Sequence, residues 1–182
     1  MAIRELVYLG DERLRQRAIK ILQVTPELTK LAADMLETMR YHDGVGLAGP
    51  QIGVMRRIFV AEIPEPEPDS DGTPHPYAGV SFVLINPEIV KQSRDLLEAT
   101  EGCLSIPAWS GCVERAEWVE IKALNLEGQS FQMRAEGFLA RVFLHELDHL
   151  NGALYVDHIT DYQKLWNAED EVRNGENPSH DP

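Results

Sequence analysis

The clearest hydrophobic pattern lies in 28–39, where Leu28, Leu31, Ala32, Met35 and Met39 recur at helical spacing and form one apolar face. Just ahead of it Thr25 can cap a helix, Pro26 suits its first turn, and Glu27 favours the positive end of the dipole. The pattern predicts a helix that stops near His42, before a glycine-rich run at 44–51. A second helix is predicted over about 136–151, with Phe138, Leu139, Val142 and Phe143 carrying it into a core. Strand signals fall at 57–61, 82–86, 119–124 and 130–134, the last two joined by a turn at 125–128, and a short strand is expected at 154–156. The first 24 residues show weak periodicity around the charged run Asp11-Glu12-Arg13-Leu14-Arg15. Prolines and acids at 63–76 cannot support a packed element and predict an extended, mobile surface loop. Strands first with a helix behind them indicate an α+β fold, with antiparallel or mixed sheets around the second helix. A single compact domain is expected over 1–165, followed by a short acidic tail at 166–182 whose polar end, 174–182, should fray.

Composition narrows the class without naming a function. At 182 residues, with 43% apolar and 26% charged positions, the chain suits one globular domain. A formal net charge of −13 argues against binding nucleic acid or an anionic membrane, which need clustered Lys and Arg. No apolar stretch approaches the roughly 20 residues of a membrane helix, and Met1-Ala2-Ile3-Arg4-Glu5-Leu6 has no signal-peptide character. The 2 cysteines, Cys103 and Cys112, then read as reduced thiols in a cytoplasmic protein.

Within the second helix stands His145-Glu146-Leu147-Asp148-His149, an HExxH match. Four residues is just over one turn, so both imidazoles leave the same face and can bind one metal ion. Glu146 can then reach a water in the open coordination position and take its proton as the water attacks a carbonyl. Two partly buried histidines beside solvated charges are the bland alternative, and the motif's helical context outweighs it. The third ligand decides the enzyme class. One protease pattern wants a histidine where this chain has Tyr155, although its Gly152 fits. A metallo-endopeptidase would instead use a downstream glutamate, and Glu169 stands at a suitable separation. Upstream, Glu101-Gly102-Cys103-Leu104-Ser105 offers a cysteine in a context that suits a bend, and one thiolate with two imidazoles makes a tight three-ligand site. Taken alone, Cys103 reads as a small buried hydrophobe, and Cys112 competes as a ligand or could pair with it in a disulfide, which the cytoplasmic reading disfavours.

Three ordered segments together resemble the bacterial peptide deformylases: G-x-G-x-A-x-x-Q at 44–51, E-G-C-x-S at 101–105, and H-E-x-x-D-H-L at 145–150. The run at 11–15 and Ile85-Asn86-Pro87 are also similar, and the likeness spans roughly residues 3–165. It implies an enzyme that removes the N-formyl group from the initiating methionine of new polypeptides. By motif position, Cys103, His145 and His149 hold the metal, Glu146 is the acid/base, and the Gln51 amide with the Leu104 backbone N–H stabilises the oxyanion. Gly44 and Gly46 would let backbone come close to substrate, and Val45, Phe138 and Val142 are candidates for a methionine pocket. A second reading is a non-catalytic relative that binds N-termini, which would keep the metal and release no formate. The resemblance implies Fe(II) as working metal, with Zn, Ni or Co able to substitute. Partners are N-formylmethionyl peptides of nascent chains. The acidic C-terminus does not support ribosome docking through a basic terminal helix. Two positions depart from the pattern. Leu144 stands where glutamine usually precedes the first histidine, which removes one hydrogen bond around the metal. Gly49 stands where alanine is common, and is expected to loosen the loop carrying Gln51.

Overall fold

The computed structural model describes residues 2–65 and 75–168. Most of the loop expected at 63–76 therefore lies outside the described residues, as does everything from 169 onward, including Glu169 and the polar end at 174–182. In chain order the elements are α1 (Pro26–Tyr41), β1 (Gly46–Ala48), β2 (Ile58–Glu62), β3 (Ser81–Gln92), β4 (Leu96–Cys103), β5 (Ile106–Ala116), β6 (Trp118–Leu124), β7 (Ser130–Glu136), α2 (Gly137–Asn151) and β8 (Leu165–Asn167), with short 3-10 turns between them. One sheet has the order β1-β2-β3-β6-β7 and the other β4-β5-β8, and every strand pair is antiparallel. The α+β expectation holds, with α2 at its centre.

Strand β2 shows why the sequence folds this way. Its apolar run is buried throughout, and alternation splits it between two helices. Phe59 and Ala61 pack with Leu139, Phe143, Leu147 and Leu150 of α2, while Ile58 and Val60 pack with Leu28, Ala32, Met35 and Met39 of α1. Each large side chain buried this way contributes about 1.5–3 kcal/mol. Helix α1 begins as predicted, with Thr25 Oγ1 accepting from the Leu28 N–H at 3.4 Å and Pro26 in the first turn. Among the described residues no helix is long and apolar enough to cross a membrane.

Several elements differ from the sequence expectations. The segment at 101–105 is no isolated bend: it ends β4 and turns through two residues into β5, Cys103 facing Ile106. The glycine-rich run forms β1 and a 3-10 turn at Gly49–Ile52. The strand expected at 154–156 is instead a 3-10 turn, Tyr155–His158, because the Asp157 carboxylate accepts from the Leu154 N–H at 2.9 Å. Strand β3 runs on to Gln92, past a register shift at Asn86, whose φ is 52°. Leu165–Asn167 pairs with β5, so the strand crosses the expected boundary at 165.

Candidate active site

The long buried face of α2 fixes two of the site's groups, because His145 and His149 lie one turn apart with ring centroids separated by 5.0 Å. The β4–β5 turn brings Cys103 to them, and its Sγ lies 3.3 Å from His149 Nε2. The ligating atoms of Cys103, His145 and His149 all fall within 4.8 Å of one another. Cys112 is not part of this cluster, and both cysteines are free thiols.

Glu146 projects from the same helix and is almost fully buried. Burial pushes its carboxyl up to about 7, with the charges of Cys103 and Glu101 adding to the rise and the two histidines opposing it. Its Oε2 has no hydrogen-bond partner among the described residues. A buried carboxylate oxygen left so is costly, and one near neutrality is suited to taking and returning a proton. Gln51 approaches from the turn after β1. The Ala48 N–H donates to its Oε1 at 2.8 Å, which turns the Nε2 donor toward Cys103 Sγ at 3.5 Å and Ser105 Oγ at 3.3 Å. Leu104 occupies the turn itself. The N-terminal segment ties both turns together, the Val7 N–H donating to Gln51 O and the Leu9 N–H to Ser105 O.

Around the ligands lies an ion network that the motifs did not reveal. Glu101 Oε2 meets His145 Nδ1 at 2.9 Å, leaving the other ring nitrogen for the site. The same carboxylate accepts from Arg115 at 2.8 and 2.9 Å and from Arg141 at 2.8 Å. Although burial works against it, these donors and His145 hold Glu101 down at about 2. Arg115 also reaches Asp148 Oδ2 at 2.5 Å, and His158 meets that oxygen at 2.8 Å. Arg141 donates further to the carbonyls of Leu97 and Val113, which fastens α2 to the β4–β5 hairpin. Had 101–105 been read as strand, period-two spacing would have put Glu101 and Cys103 on one face, and Arg141 stands four residues before His145. Those were the available signals.

This set fits a divalent cation. Burial raises the Cys103 thiol, yet the charges and hydrogen bonds of His149 and His145 outweigh it and hold the thiol at about 5, a thiolate at neutral pH. Arg115 and Arg141 lie against Glu101 and Asp148, so a cation held by neutral imidazoles would take the place of the positive charge that the histidines present to Cys103 and Glu146. One thiolate and two imidazoles form a common three-ligand set for such an ion.

The remaining predicted residues line the same cavity, of about 670 Å³: Val45, Gly46, Leu104, Phe138 and Val142 with Gln51 and the histidine helix. The glycines also leave space that neighbouring side chains occupy. A Cβ on Gly46 would lie 2.3 Å from Glu146 Oε1, and one on Gly44 would lie 2.8 Å from the Leu104 side chain. Their bareness makes room for the protein's own groups. At Gly49, too, space is limiting: a Cβ there would press on the backbone oxygens of Val54 and Arg56 at 2.7 and 2.8 Å. Leu144 packs into the core, and Glu101 supplies the hydrogen bond to the first histidine.

Comparison with known proteins agrees with this arrangement. The family profile for polypeptide deformylase matches residues 3–165. The chain is 48% identical over 171 residues to the peptide deformylase of Thermomicrobium roseum, covering 94% of each chain, and 42% identical over 164 residues to that of Desulforudis audaxviator, covering 90% of this chain and 98% of that one. Among solved structures, the peptide deformylase of Thermotoga maritima superposes with a TM-score of 0.78 at 36% identity, covering 88% of this chain and 100% of that one. A Met-Ala-Ser-bound peptide deformylase from Acinetobacter baumannii gives 0.79 at 34% identity, covering 87% and 99%. Matched over most of its length in sequence and in shape, with its three motif segments meeting in one cavity, the chain belongs to the polypeptide deformylase family.

Proposed function

We propose that Cys103, His145 and His149 hold the metal of a deformylase in which Glu146 moves the proton and Gln51 with the Leu104 N–H steadies the developing oxyanion. The reaction is hydrolysis of the N-formyl group from the formylmethionine of new polypeptides, releasing formate. The single observation that carries the residue roles is the cluster itself: three ligating atoms within 4.8 Å, beside a buried carboxylate and a fixed amide donor. A divalent cation held by Cys103, His145 and His149 would supply Lewis acidity to the reaction. Glu146 accepts a proton from the attacking water and returns it to the departing amine nitrogen as the carbon–nitrogen bond breaks. Formate and a free N-terminus result, with one water consumed. Meanwhile Gln51 Nε2 and the Leu104 N–H face the oxygen as it gains charge, where donors fixed in advance are most effective.

Val45, Phe138 and Val142 would take the methionine side chain, and the backbone of Gly46 would run beside the substrate. Strands β1 and β4 are edge strands of their sheets, which supports an extended peptide entering between them. Fe(II) is the working ion in this reading, with Zn, Ni or Co as substitutes. Two free thiols support a reducing, cytoplasmic location. We assign catalysis to residues 1–165 together with the rest of β8, which ends at Asn167, and treat the remainder as an acidic tail whose composition offers no basic helix for docking on a ribosome.

The test is formate release from a formyl-Met peptide by protein prepared without oxygen and loaded with Fe(II). A rate well above that of Glu146→Ala protein is expected, and a rate equal to it would overturn the reading. Cys103→Ser protein should lose stoichiometric metal. Full retention would instead send the third-ligand role to Glu169 or Cys112.

A further inference from the structure

Beside the thiolate, the β4–β5 ladder breaks in an unusual place. Gly102 faces Ser110 and Cys103 faces Ile106, so β4 advances one residue while β5 advances four. Pro107, Ala108 and Trp109 are therefore pushed out of the pairing, and all three line the cavity. Ala108 holds a φ of 65°, a left-handed conformation that alanine rarely adopts. Bulges and backbone outliers of this kind gather next to active sites, where they re-aim a side chain.

Two contacts pin the bulge. Trp109 pairs with Asn167 of β8 on one side. From below, the Tyr155 hydroxyl donates to the Trp109 carbonyl at 3.0 Å. Tyr155 is 1% exposed, and its ring lies nearly parallel to that of His145, centroids 6.0 Å apart at 21°. One buried side chain thus touches both a metal ligand and the cavity rim. Trp109 itself remains 43% exposed, a large apolar surface at the mouth of a cavity otherwise floored by the reacting groups.

Given the deformylase reading, on which this inference rests, the formyl carbon must lie near Cys103 and Glu146. The Cα of the residue after formylmethionine lies roughly 6 Å from that carbon, within reach of the cavity wall to which Pro107, Ala108 and Trp109 contribute. We propose that Trp109 is the specificity-determining residue for the amino acid following formylmethionine, favouring large apolar side chains there, and that Tyr155 is the positioning residue that holds Trp109 in place.

The experiment compares formate release from formyl-Met-Leu-Ser and formyl-Met-Gly-Ser by the Fe(II)-loaded wild type and by Trp109→Ala, Trp109→Phe and Tyr155→Phe proteins, with metal content measured for each. The wild type should prefer the leucine peptide. Trp109→Ala should reduce that preference about ten-fold, within the range that one apolar contact can discriminate. Trp109→Phe should retain most of it. Tyr155→Phe, which deletes only the hydroxyl, should raise KM for the leucine peptide about three-fold, the scale of one hydrogen bond, with kcat and bound metal little altered. An unchanged leucine-to-glycine ratio in Trp109→Ala overturns the assignment of Trp109. A fall in kcat or metal content without a rise in KM in Tyr155→Phe shows that Tyr155 serves His145 alone, and overturns its positioning role. Absence of formate from both peptides in the wild type would instead be the failure of the deformylase reading.

Discussion

Gly46 carries no side chain because Glu146 already fills that space. A methyl group 2.3 Å from Oε1 would push the carboxylate aside by about 1 Å relative to an ordinary contact. The three residues proposed to hold the metal, His145 and His149 on α2 and Cys103 at the β4–β5 turn, do not meet that methyl group, so the substitution would separate the proposed proton transfer from metal binding. Gly46→Ala protein is expected to bind metal stoichiometrically while its kcat falls about 100-fold, the usual consequence of misplacing a catalytic group by that distance. Retention of wild-type kcat alongside normal metal content would remove Glu146 from its role. At this scale His145, Glu146 and His149 were legible from their spacing alone, since helical periodicity fixes where they point. Glu101, Arg115 and Tyr155 were not. Their contacts join positions 10 to 46 residues apart, and no local periodicity reports such pairings.

Helix α2 ends where the sequence said it would, and the ending is forced twice. Gly152 adopts a φ of 80°, and a Cβ there would also meet the Arg15 backbone oxygen at 2.6 Å. Gly152→Ala should therefore cost at least about 1 kcal/mol from the left-handed conformation alone, with the Arg15 contact adding to it. It should lower the urea midpoint without changing the slope. An alanine variant as stable as the wild type would mean that the turn after α2 shifts freely. The predicted elements that survived share a trait: α1, α2, β2, β6 and β7 each carry a strong cap, a helical stripe or clean alternation. The hairpin of β4 and β5 escaped because β4 is mostly exposed and polar, so its buried positions make no pattern. The 3-10 turn after Leu154 escaped because one aspartate side chain, rather than hydrophobic spacing, closes it.

Across the whole molecule, the N-terminal segment ties α1 to the site. Asp34, 1% exposed on α1, accepts from the Ala2 N–H and twice from the Arg4 guanidinium at 3.1 and 2.6 Å. Farther along, Val7 and Leu9 reach the turns of Gln51 and Ser105. The Arg4 hydrogen bonds outweigh burial and hold the Asp34 carboxyl below its ordinary value. A carboxylate depressed in the folded state adds stability above its unfolded pKa of about 3.9, and that stability is lost as pH falls through the folded value. Asp34→Asn protein, which keeps the shape and loses the charge, should be less stable by about 2 kcal/mol at pH 7. The gap should narrow steadily below about pH 4. The net charge of −13 works in the opposite direction, since acid relieves repulsion among the carboxylates. That relief is nearly common to both proteins and cancels in their difference. Urea midpoints of the two proteins, measured from pH 7 down into the acid range at one metal loading, isolate the pair. A difference that stays constant with pH would show that the two acceptor oxygens of Asp34, rather than their charge, anchor the segment.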